Sequence, residues 1–225
     1  MIDLRQIVIT AVLLAAFTAV GVGLVALTQQ GTEERIAANE KAIMLARVSA
    51  VLTPGSYDND PIADQFDLTA PEELGLRLGQ RTKAQAEAAH GFQGYRARLA
   101  KQVTAVVLPV VAREGYGGDI NLLVGVDADG HITGVRVTRH RETPGLGDQI
   151  EASKSDWILG FEGKSLDNPK NGWAVRKDGG EFDQFTGATI TPRAVVRAVY
   201  TALQYTQRHH AELFETEQPK EAADE

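Results

Sequence analysis

The chain has 225 residues, 43% of them hydrophobic, with 23 Lys and Arg against 30 Asp and Glu and a net charge of -7. That is enough apolar material for one packed domain, and the acidic balance argues against nucleic acid and against electrostatic docking on anionic lipid. Cysteine is absent, which excludes disulfides, iron–sulfur clusters and thiolate metal sites, so any redox chemistry must come from a bound organic cofactor or a partner.

The first element is the uncharged run from Ile7 to Leu27. At about 1.5 Å per residue it spans roughly 30 Å, the thickness of a bilayer core. A cleaved signal peptide is the alternative, but the run is longer than an h-region and lacks a clean small-x-small site. Ala11, Ala15, Ala19 and Gly23 recur at four-residue spacing, a small face that could pack on other membrane helices. Basic residues lie on both sides, Arg5 before the run and Arg35, Lys41 and Arg47 after it. The positive-inside count therefore does not favour a translocated C-terminal part.

Thr32 to Leu52 reads as a separate amphipathic helix, with Thr32 as N-cap and a stripe of Ile36, Ile43, Met44, Val48, Val51 and Leu52. Thr53-Pro54-Gly55 ends it, and a loop follows from Tyr57 to Pro61. Ala84 to Ala89 is helix-forming but weakly patterned. Strand character begins near Val103 and runs to Val111, with Pro109 suggesting an edge or a bulge. A flexible Gly115-Tyr116-Gly117-Gly118 turn precedes two strands, Ile120 to Val126 and His131 to Thr138. Asp127-Ala128-Asp129-Gly130 between them is a hairpin turn. It lacks the later acidic ligands of a calcium loop. Trp157 to Gly163, Trp173 to Val175 and Glu181 to Phe185 read as short strands or connections, and Trp157 and Trp173 as core aromatics. A helix is expected from about Pro192 to Phe214, then a solvated acidic tail.

Two segments carry candidate chemistry. Arg139 to Asp148 leaves the hairpin, and its Pro144-Gly145 pair specifies a type II turn. Such a loop lets a planar ligand approach the main chain and offers Leu146 to a ring face; an ordinary tight turn explains the same residues. His140 either hydrogen-bonds a ligand or is merely solvated. The second segment, Asp183-Gln184-Phe185-Thr186-Gly187-Ala188-Thr189, precedes Ile190-Thr191-Pro192-Arg193. Thr191 reads as N-cap and Pro192 as the first helical residue. A helix start with small residues before it favours a phosphate, although a plain capped helix after a turn is the simpler account.

Asp-x-x-Thr-Gly-Ala-Thr, from Asp183 to Thr189, resembles the flavinylation motif of FMN-binding domains in Rnf and Na⁺-pumping quinone reductase complexes. Glu142-Thr143-Pro144-Gly145-Leu146-Gly147 is similar to the flavin loop of the G subunit of Rnf (also called Rsx) electron transport complexes. The likeness covers the N-terminal anchor, Gly115 to Ile120, the hairpin, both loops and Trp173 to Val196; Thr186 stands where Ser is usual and keeps the hydroxyl.

The resemblance implies an α+β fold: one transmembrane anchor (1–30), one extracytoplasmic FMN-binding domain (31–214) and an acidic tail (215–225). It implies FMN bound covalently through a phosphoester at Thr189. The other site residues it implies are Thr186, Gly187, Ala188, Asp183, Glu142, Thr143, Gly145, Leu146 and His140, with no metal. The role implied is electron relay in a bacterial inner-membrane, ion-translocating complex, with other membrane subunits and a flavin transferase as partners. The C subunit of a Na⁺-pumping NADH:quinone reductase and a non-redox anchored binding module are the alternatives.

Overall fold

The computed structural model describes residues 4–77, 92–170 and 172–215. The expected helix-forming stretch 84–89 and residues 216–225 of the expected tail lie outside the described residues. The chain divides into two units, one ending at Met44 and the other beginning at Leu45.

Helix α1 (Leu4–Ser49) contains the stretch Arg5–Val25, long and apolar enough to cross a membrane. The large apolar side chains of this stretch, Leu14, Phe17 and Val25 among them, are exposed, the pattern expected of a membrane-spanning helix. Thr10 and Thr18 donate their hydroxyls to the Gln6 and Leu14 carbonyls at 2.9 and 2.8 Å, which satisfies them within the helix itself. The expected helix start at Thr32 does not occur. Thr32 lies inside α1, and its hydroxyl donates to the Gln29 carbonyl at 3.1 Å. A lone glycine at 31 costs about 1 kcal/mol, too little to stop a helix among good helix formers. The expected stripe is a core face only at its end: Val48, Val51 and Leu52 are buried, whereas Ile36 and Ile43 are exposed.

In the second unit, five antiparallel strands lie side by side in chain order. They are β1 (Gln65–Asp67), β2 (Gln93–Leu99), β3 (Gln102–Gly115), β4 (Gly118–Asp127) and β5 (Ile132–Arg139). Helix α2 (Ile190–Arg208) and the short α3 (His210–Phe214) follow. The alternation of β3 and β4 puts Val106, Leu108, Val110 and Ala112 opposite Val126, Val124, Leu122 and Ile120. All eight are buried in the main core with Val195, Val199, Ala202 and Leu203 of α2. Period-two strands and a period-3.6 helix thereby bury one common face. β3 is central in the sheet, yet its paired register with β2 reaches only Tyr95↔Val107. Pro109 pairs with Leu123 of β4 and lies beyond that ladder, on locally edge-like backbone where its missing N–H costs nothing.

The opposite face is closed by the chain just after α1. Gly125 and Gly134 pair across β4 and β5, and a Cβ on Gly134 would stand 2.8 Å from Val51 Cα. A Cβ on Gly125 would overlap the Val51 carbonyl, which accepts the Thr133 hydroxyl at 2.6 Å. Trp157 begins no strand: Asp156–Phe161 is a 3-10 helix capped by the Ser155 hydroxyl, which accepts from the Trp157 N–H. Trp157, Phe161, Phe182, Phe185 and Trp173 form a contiguous aromatic cluster against the core. Both indoles are partly buried against the core, donating to the carbonyls of Asp183 and Ser165 at 2.8 and 3.0 Å.

Candidate functional site

A cavity of about 380 Å³ opens where the β3–β4 turn, the loop after β5 and the start of α2 meet. Tyr116 lines it from the turn, Glu142, Thr143, Leu146 and Gly147 from the loop, and Gly187, Ala188, Thr189, Ile190 and Thr191 from the helix side. Its size falls within the roughly 300–1,000 Å³ of sites for small ligands.

Each wall has a local cause. Thr143-Pro144-Gly145-Leu146 is the expected type II turn: Gly145 has φ 76°, and the Leu146 N–H donates to the Thr143 carbonyl at 3.1 Å. A second tight turn closes Phe185-Thr186-Gly187-Ala188, with Gly187 at φ 82° and the Ala188 N–H donating to the Phe185 carbonyl at 3.1 Å. Phe185 is buried in the aromatic cluster and pegs this turn to the core. Helix α2 begins earlier than its expected cap, with Thr189 at the N-cap position and Ile190 as its first residue. Thr191 is therefore a residue of the first turn. It is fully buried, and its hydroxyl donates to a Glu142 carboxylate oxygen. A strong buried acceptor outcompetes the capping bond.

Glu142 is buried as well, and its other oxygen accepts the Gly117 N–H at 2.9 Å. His140 does not reach the cavity. Its Nδ1 accepts the Glu142 N–H at 3.1 Å, so the ring proton sits on Nε2 and donates to Glu151 at 2.8 Å. That bond from His140 is the main reason the Glu151 carboxyl lies below its ordinary value. Asp183 and Thr186 are exposed and do not line the cavity; the Asp183 carboxylate pairs with Arg176 at 2.5 Å. Arg193 makes a bidentate pair with Asp178, each contact 2.5 Å, which lowers the Asp178 carboxyl and raises the guanidinium. It ties the first turn of α2 to the 3-10 turn Arg176–Asp178. The structure thus gathers Glu142, Thr143, Leu146, Gly187, Ala188 and Thr189 at one cavity. It sets Asp183, Thr186, Gly145 and His140 outside its lining. Tyr116, Gly147, Ile190 and Thr191 line it in addition, and the glycine-flanked Tyr116 is the one available signal for the third wall.

A half-buried threonine at a helix start, small residues beside it and a cavity beside a type II turn define a domain with a site suited to a small anionic ligand. Residues 115–204 match the FMN-binding domain family, and residues 1–51 match the RnfG N-terminal region. Relatives named as the G subunit of an ion-translocating oxidoreductase complex include one from Pseudomonas aeruginosa, 50% identical over 220 residues, covering 97% of this chain and 96% of that one. One from Vibrio cholerae is 42% identical over 211 residues (93% and 94%), and one from Cereibacter sphaeroides is 44% identical over 206 residues (91% and 86%). The chain belongs to this family, the G subunits of ion-translocating oxidoreductase complexes. The site fits FMN on its own chemistry: the first amides of α2 have no helical acceptors, and Gly187 leaves room, since a Cβ there meets only Leu146 Cδ2 at 3.7 Å.

Proposed function

We propose that this protein is a membrane-anchored flavoprotein subunit that carries FMN through a phosphoester at Thr189 and relays electrons within an ion-translocating oxidoreductase complex. The observation that carries this is the division of labour among three neighbouring hydroxyls. Thr191 is fully buried and committed to Glu142. Thr186 is exposed outside the cavity lining. Thr189 is half-buried, lines the cavity and makes no capping hydrogen bond. It is the hydroxyl available to a ligand.

When bound, FMN supplies the one- and two-electron chemistry that no side chain here provides. The residues of the chain hold and shield it. Thr189 would supply the attachment oxygen, the first amides of α2 would hold the phosphate, and Thr143 and Leu146 of the cavity lining would hold the rest of the cofactor. The tether keeps the cofactor at high effective concentration. Asp183, exposed and outside the cavity lining, suits recognition by the flavin transferase that makes the bond.

The test is the intact mass and the denaturation-resistant fluorescence of the chain made together with the transferase. Thr189→Val is expected to lose both the fluorescence and the mass of one FMN less one water, whereas Thr189→Ser keeps part of each. Flavin located on Thr186 or Thr191 would overturn the assignment. Asp183→Ala should fold normally and carry much less flavin; full loading would reduce Asp183 to a turn residue.

A further inference from the structure

Glu142 is a buried carboxylate in the lining of the site, and each of its oxygens accepts a hydrogen bond from the protein. One accepts the Gly117 amide of the β3–β4 turn, at 2.9 Å; the other accepts the Thr191 hydroxyl of α2. Its own amide donates to His140, which Glu151 holds in turn. The glycines around it leave no slack. A Cβ on Gly147 would stand 2.9 Å from Glu142 Oε2, and one on Gly115 would stand 2.8 Å from Oε1. One side chain therefore joins the three walls that bring Tyr116, Leu146 and Thr189 to the cavity. Charge-assisted hydrogen bonds of this kind are the strong ones, and losing a partner leaves buried groups unsatisfied.

We propose that Glu142 is a positioning residue: its carboxylate clasps the Gly117 amide and the Thr191 hydroxyl and so fixes the walls of the cavity for FMN, without serving as a contact to the cofactor. This rests on the reading that FMN occupies the cavity from Thr189. Gln at this position can keep the clasp, because its amide oxygen accepts from Gly117 and its NH₂ donates to a rotated Thr191 hydroxyl. Ala cannot.

The experiment uses the full-length chain in detergent, made with and without the transferase. In the flavin-free chain, hydrogen exchange at the Gly117 amide should accelerate roughly tenfold or more in Glu142→Ala and stay near wild type in Glu142→Gln. In the loaded chain, Glu142→Ala should lower flavin fluorescence anisotropy and move the absorption bands toward those of free FMN, with Glu142→Gln restoring both. Thr191→Val, which removes one arm of the clasp at constant shape, should fall between, and it carries the test if Glu142→Ala does not fold. Unchanged exchange and spectra in Glu142→Ala or Thr191→Val would overturn the proposal. A Gln variant as altered as the Ala variant would also overturn it, since that result makes the charge, not the clasp, the active feature. If wild type carries no flavin at Thr189, the underlying reading fails first, and the exchange data separate that failure from this one.

Discussion

Tyr205 projects from α2 into the core, almost fully buried, and its hydroxyl donates to the Thr69 carbonyl at 2.6 Å. Burial, with Glu212, Glu73 and Glu72 adding to it, pushes its pKa from 10 up to about 12. The folded state keeps a proton that the unfolded chain releases near pH 10. This contribution is complete below pH 10 and is lost as the pH rises toward 12. Thermal melts should therefore fall across that interval. Tyr205→Phe should flatten the fall while costing about 1 kcal/mol at neutral pH for the missing hydrogen bond. Glu151 works in the opposite direction. Its carboxyl is held below 4.5 by the His140 bond, so its contribution is present above that pH and fades as the solution becomes more acidic. Glu151→Gln should remove that acid-side loss in the same melts. Neither dependence is legible in the sequence, which shows a histidine and an acid eleven positions apart without showing that they meet.

Elements are legible in proportion to their periodicity. The β-branched runs and the Asp127 to Gly130 turn announce β4 and β5, which the structure places within a residue or two of the expected limits. Strand β2 gives no such notice: Gln93–Leu99 buries Tyr95 and Ala97 but alternates them with Arg96 and Arg98, and its apolar signal is weak. Thr-Pro is a common cap pattern and points to Thr191, yet α2 starts earlier, and nothing in the sequence reveals that Glu142 competes for the Thr191 hydroxyl. Likewise nothing in the sequence shows that Gly125 and Gly134 form the notch that receives Val51. Gly134→Ala should consequently destabilise the domain by about 1–3 kcal/mol through overpacking. Chemical denaturation measures this directly, and a neutral result would mean that Val51 can move away without cost.

At the scale of the whole molecule, the apolar stretch and the flavin motifs are both legible, whereas the side of the membrane is not. The flanking charges fall on both sides of the stretch, and large domains cross regardless of such counts. We expect the domain to lie outside the cytoplasm, with the apolar stretch uncleaved and anchored in the bacterial inner membrane. A reporter fused after Glu225 should show extracytoplasmic activity; cytoplasmic activity would reverse the assignment. The pegged turn at Phe185 to Ala188 bears on the order of events in making this protein. Its root is locked in the aromatic cluster while Thr186 and Gly187 stand in solvent. A modifying enzyme can therefore grip the tip of a finished domain without prising the core apart. On the proposed attachment at Thr189, we expect folding to come first and modification second. Chain purified without its cofactor should be a competent substrate on the bench, and chain unfolded beforehand should not.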